Sequence, residues 1–213
     1  MKEPTVEQLA ATLAAHDLPL LRTEQAVPPL PLDPPSLIAA LARHPDGRLG
    51  EALISGRLYL VGGTSLLPVA AKTATLDMGL QYEVDPSDHT EFVHCIRQVS
   101  RQMAMPVERA SPSHFIPLPA GYAERHQFIG RYGQLDVFHF DFYSVALSKL
   151  HRGNEKDFTD VIAMVQRDLV SLPQLKQYFA EVLAQLEIRD IGARPEAFAR
   201  KFALFEQRLG ATA

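Results

Sequence analysis

The chain has 213 residues, 46% of them hydrophobic and 22% charged, with a formal net charge of −4. This is ordinary globular composition, enough for one good-sized domain or a domain with a helical extension, and it excludes wholesale disorder. The acidic balance excludes the global basic field of many nucleic-acid binders, and no stretch approaches the roughly 18 apolar residues of a membrane-spanning helix.

The first fifteen residues carry Lys2, Glu3 and Glu7 before any apolar run, which argues against a secretory leader and for a cytoplasmic protein. Val6 to His16 reads as a short helix. The stretch from Val27 to Pro35 is too rich in proline to continue it and reads as an extended linker or packed arm. Short helices are expected at Ser36 to Ala42 and Arg48 to Ser55. Residues 1–55 therefore form an expected helical preamble.

From Arg57 to Val61 the composition turns to a strand, closed by Gly62-Gly63. A helix from Thr64 to Ala71, shortened or kinked at Pro68, and a strand from Thr75 to Val84 follow. Ser87 to Met103 has Phe92, Cys95, Ile96 and Val99 at helical core spacing, so Cys95 is read as a buried structural thiol. His114 to Leu118 is expected as a strand. His126 to Phe140 is expected as a hairpin turning at Gly130 to Gly133. Helices are expected at Ser144 to Leu150, Asp157 to Arg167, Pro173 to Leu186 and Pro195 to Leu209, the last two with proline in the first turn. Strands first and helices last predict an α+β fold, with a core over 56–143 and a helical region over 144–213.

Four pieces carry the candidate chemistry. Gly62 and Gly63 end a strand where a sharp turn brings amide groups close to a ligand, and Thr64 and Ser65 add hydroxyls at the start of the next helix. Asp77 and Asp136 each sit among apolar strand residues, where a carboxylate is costly unless it is paired or binds metal. Their strands are expected to be neighbours with both side chains on one side of the sheet, so that the two carboxylates converge and can hold Mg²⁺ against a triphosphate. Lys149 follows the Asp136 strand and is placed to reach a phosphate. Asp157 and Asp160, three apart on one helix face, are read as a helix cap or as ion-pair partners of Lys149 or Arg152. The eight histidines show no zinc-enzyme spacing, and His139 is read as surface or partly buried structure.

Leu60-Val-Gly-Gly-Thr-Ser-Leu66, Ala74-Thr-Leu-Asp-Met78, Leu135-Asp-Val137, and Ala146 to Leu150 with Lys156-Asp-Phe-Thr-Asp-Val161 occur in this order. Together they resemble the minimal nucleotidyltransferases, especially the AbiEii-like family that includes toxins of toxin–antitoxin systems. The resemblance implies a nucleotidyltransferase-like mixed sheet and transfer of a nucleotidyl group from an NTP, with Mg²⁺, to an RNA or protein acceptor. It also implies a cognate antitoxin or other partner protein. By residue, Gly62, Gly63, Thr64 and Ser65 match the phosphate-side motif, Asp77 and Asp136 match metal carboxylates, and Lys149 matches the lysine facing the triphosphate. The family pattern has two aspartates on the strand after the Gly-Gly turn. Here either Gly79 or Thr75 stands in place of one of them, depending on the register chosen. That departure implies a second reading, a degenerate domain that binds nucleotide or a partner without turnover.

Overall fold

The computed structural model describes residues 55–66, 78–102, 106–132, 134–189 and 194–212. The expectations for the preamble and its proline-rich stretch lie outside the described residues, as does Asp77.

Strand β1 (Gly56–Val61) sits in the middle of a five-stranded sheet among the described residues, ordered β3-β2-β1-β5-β4. Its antiparallel partner is β2 (Met78–Val84) and its parallel partner is β5 (Leu135–His139). The outer strands are β3 (Val107–Arg109), parallel to β2, and β4 (Gln127–Tyr132), antiparallel to β5. A central strand has both faces covered, which is why β1 reads as a nearly unbroken apolar run. Leu58 and Leu60 point to one face, into a cluster with Met78, Leu80, Leu135 and Val137. Tyr59 and Val61 point to the other.

Helix α1 (Gly63–Leu66) follows β1 directly. Helix α2 (His89–Gln102) covers the Leu58–Leu60 face with Phe92, Cys95 and Ile96, the stripe its periodicity predicts; Cys95 is buried. The opposite face is covered by α3 (Phe142–Arg152), α4 (Glu155–Gln166), α5 (Leu172–Arg189) and α6 (Pro195–Thr212). The architecture is α+β with a mixed sheet, as the order of strands and helices predicted.

Two expectations are corrected. The segment from His114 to Leu118 is not a strand: Ser111 caps a 3₁₀ turn over Pro112–His114, and the strand lies earlier, at Val107–Arg109. Pro112 lies just before that segment and Pro117 within it, and neither brings an amide donor to a ladder. The hairpin turn also falls later than expected, because Gly130 lies within β4 at a register irregularity between Phe128 and Gly130.

The start of α3 is fixed by Asp141, which is 1% exposed. Its carboxylate accepts from the Tyr143 and Ser144 amides and from the Ser144 hydroxyl at 2.7 Å, and it takes a two-point bond from Arg125 at 3.0 Å each. The Arg125 guanidinium lies 4.3 Å from the Tyr178 ring, so one cation ties the loop before β4 to α3 and α5.

Candidate functional site

A cleft of about 250 Å³ opens where the C-terminal end of β1 meets the turn between α3 and α4. Three walls make it. The first is the β1 exit, Val61 to Gly63, with Gly79 of β2 beside it. Gly62 has φ +68, the left-handed region that glycine enters without steric cost, so the chain turns from strand to α1 within one residue. Gly79 pairs with Val61, and a Cβ there would stand 2.8 Å from the Val61 carbonyl oxygen, closer than a side chain tolerates.

The second wall is the α3–α4 corner. Gly153 ends α3 in a left-handed cap, and the Lys201 ammonium of α6 donates to the carbonyls of His151 and Arg152. Asn154 then caps α4, its side chain accepting from the Asp157 amide at 2.9 Å. This corner presents Lys149, Arg152, Lys156, Asp157 and Asp160 to the cleft. The third wall is Glu108, Ala110 and the capped turn from Ser111 to Phe115. It is held to the sheet by the Ala110 amide, which donates to the Leu80 carbonyl at 2.9 Å.

The charges in the second wall are mostly matched. Lys149 is buried; its ammonium donates to Asp160 at 2.7 Å and reaches Asp157 at 3.5 Å. Arg152 donates to the same oxygen of Asp157 at 2.6 Å. Two cations thus face two carboxylates, the ion-pair reading made from the sequence for Asp157 and Asp160. Two features remain open. Asp157 is 3% exposed, yet its Oδ2 has no hydrogen-bond partner. A buried carboxylate oxygen left bare is costly, so a donor or a cation that reached it would be held favourably. Lys156, at the first turn of α4, is an exposed cation on the same wall. A helix start with a cation beside it suits an anion.

The family is decided by a sequence match that runs through all of these pieces: strand, Gly-Gly turn, short helix and the Lys-Asp-Asp corner. The chain belongs to the nucleotidyltransferases of unknown function known as DUF6036. The family model matches residues 50–207, from before β1 into α6. No curated protein and no solved structure matches the chain.

Against the nucleotidyltransferase motifs, Gly62, Gly63 and Lys149 do meet in one cleft. Thr64 lies in α1. Ser65 is fully buried, and its hydroxyl stands 2.9 Å from Nδ1 of His139, turned into the fold. His139 is itself buried, against the expectation of a surface or partly buried residue, because its ring packs on Phe142. Burial pushes its pKa down to about 4.

Asp136 is elsewhere. The expectation that its strand neighbours the one after the Gly-Gly turn is corrected, because β1 lies between β2 and β5. Asp136 pairs in register with Arg57 at the start of β1, five residues before Gly62 and so about 17 Å away at the usual strand rise. Its carboxylate takes a two-point bond from Arg131 at 2.6 and 2.7 Å, which holds it below the usual carboxylate range.

Sequence reasoning missed Glu108, Asn154 and Phe115. Glu108 belongs to a three-residue strand, too short for a periodic signal. Asn154 was legible in principle, since an asparagine three residues before an aspartate at a helix start is a capping pattern.

As for Mg²⁺, the described residues contain no group of three or more His, Cys, Asp or Glu side chains able to hold a metal ion. Glu108 and Asp157 nonetheless line the cleft with carboxylates, which are hard oxygen donors. Mg²⁺ commonly takes only one or two protein carboxylates, with phosphates and waters completing its octahedron. The donor set is compatible with a metal that arrives with a nucleotide.

Proposed function

We propose that the cleft binds an NTP and transfers its nucleotidyl group to a hydroxyl of an RNA or protein acceptor. The observation that carries this reading is the cleft corner itself: Gly62-Gly63 and the first turn of α4 line one cleft, the latter with the exposed Lys156 and the buried Asp157, whose Oδ2 has no partner. The phosphates lie against the Gly-Gly turn and Lys156. Lys149, fixed by Asp157 and Asp160, holds the corner in shape and adds its field at short range. Glu108 and Asp157 are the cleft carboxylates that would hold Mg²⁺, which would supply charge neutralisation on the transferring phosphate; Asp77 is a metal carboxylate by the motif resemblance alone. Transfer joins the acceptor oxygen to the α-phosphorus, releases pyrophosphate and frees the hydroxyl proton.

A second reading, nucleotide binding without turnover, has its own support. Asp136 is bound to Arg131 at the far end of β1, and Gly79 or Thr75 stands where the family pattern has an aspartate. The AbiEii-like subtype, a cognate antitoxin and a cytoplasmic setting rest on the motif resemblance and the composition. Among the described residues, no helix is long and apolar enough to cross a membrane.

The deciding experiment incubates the protein with Mg²⁺, each labelled NTP, and RNA or protein acceptors, beside Lys156→Ala and Asp157→Asn. Transfer by the wild type that falls in both variants supports the enzyme. Saturable NTP binding without transfer selects the second reading. Absence of both overturns the site.

A further inference from the structure

Three large hydrophobic residues stand exposed among the described ones: Phe115, Phe128 and Leu204. Only Phe115 lines the cleft. The residue is 41% exposed, while Pro112 and Ile116 on the same turn are buried and anchor it. The anchoring is specific. Ser111 caps the turn, its hydroxyl 2.8 Å from that of Ser113, and the amides of Phe115 and Ile116 donate to the Pro112 carbonyl.

Over one face of the ring, 5.3 Å from its centroid, sits the Arg152 guanidinium. That group is held by its 2.6 Å bond to Asp157. The guanidinium therefore backs one face of the ring, and the exposed remainder of Phe115 lines the cleft across from the wall that carries Lys156. Such surfaces take flat heteroaromatic rings, because the ring face gains dispersion and the guanidinium favours a π-system.

We infer that Phe115, backed by Arg152, is the platform on which the base of the bound nucleotide stacks, while its phosphates reach the Gly62-Gly63 turn and Lys156. The inference rests on the nucleotide reading of the cleft and adds where the base lies. A face-on stack accepts any base, so selection among NTPs is weak at this contact.

The chain has no tryptophan, so Phe115→Trp places a single reporter on the platform. Binding of ATP, GTP, CTP and UTP, and of inorganic tripolyphosphate, is measured for the wild type, Phe115→Ala and Phe115→Trp. Phe115→Ala is expected to weaken each NTP by roughly tenfold and leave tripolyphosphate unchanged. Phe115→Trp is expected to retain affinity, with emission quenched by NTPs and not by tripolyphosphate. If Phe115→Ala binds NTPs like the wild type, or the tryptophan stays unquenched at saturation, the platform is overturned and nucleotide binding stands. If the wild type binds neither NTPs nor tripolyphosphate, the nucleotide reading and the platform fall together.

Discussion

The two ends of β1 carry the same kinds of residue and use them differently. At its start, Arg57 is flanked in register by Glu83 and Asp136, and Arg131 lies over Asp136 from β4. These charges meet in water: the arginine side chains are 63% and 68% exposed. At its exit, Lys149 with Asp157 and Asp160 makes a comparable cluster with less than a tenth of each side chain exposed. In water an ion pair gains little over its hydrated parts. Out of water, each member holds the others in place and the loss of one strands the rest. The exposed end can lose a charge without consequence. The buried end keeps a fixed shape, with one carboxylate oxygen, Oδ2 of Asp157, left without a partner.

The comparison is tested hardest at Lys149. Lys149→Met removes the cation between two buried carboxylates, with an expected loss of about 3–5 kcal/mol in stability. Urea unfolding measures it. Adding Asp160→Asn to Lys149→Met should recover part of the loss, because one stranded charge is gone. A loss no larger than that of a surface substitution would mean that water enters the corner and that the contrast between the two ends is false.

His139 gives the next test, one of pH. Its folded value is about 4, against an ordinary 6.5, because burial disfavours the charged ring. Above pH 6.5 both folded and unfolded states hold it neutral, and it adds no pH dependence. Between 6.5 and 4 the unfolded chain takes up a proton that the folded site refuses, so stability falls as pH falls. The whole window amounts to about 3 kcal/mol. His139→Gln should lose this slope while keeping the acid lability of the carboxylates. Parallel slopes for the two proteins between pH 6.5 and 4 would show that the ring is hydrated and that the Ser65 contact does not seal it.

What the sequence disclosed follows from how local each signal is. β1 is legible because a doubly covered strand must be apolar throughout, and α2 because Phe92, Cys95 and Ile96 repeat at helical spacing. The Lys149–Asp160 pair is legible because consecutive helices joined at Gly153 must bring their facing charges together. Asp136 was misplaced because apolar neighbours show that a residue lies in a strand, and not which strand it adjoins. That depends on β1 inserting between β2 and β5. Alternation gives the face that His139 takes, but its depth is set by Phe142 and Ser65 from other elements. Phe115 gave no signal, since a proline-bracketed turn has no period to read.

The smallest effect is expected at Asp136, and its smallness is the point. Asp136→Asn removes the charge that Arg131 faces, yet Arg131 is largely solvated and needs no partner to stay charged. Stability should stay within the scatter of ordinary surface substitutions, with any difference at low ionic strength fading as salt screens the pair. NTP affinity and any transfer should be those of the wild type, because Asp136 lies about 17 Å along the sheet from Gly62. The measurement is NTP titration and label transfer for Asp136→Asn beside Asp157→Asn under one set of conditions. Loss of binding or transfer in Asp136→Asn with the fold intact would mean that the start of β1 belongs to the functional surface, as the motif match first implied. The cleft at the other end would then be only part of the site.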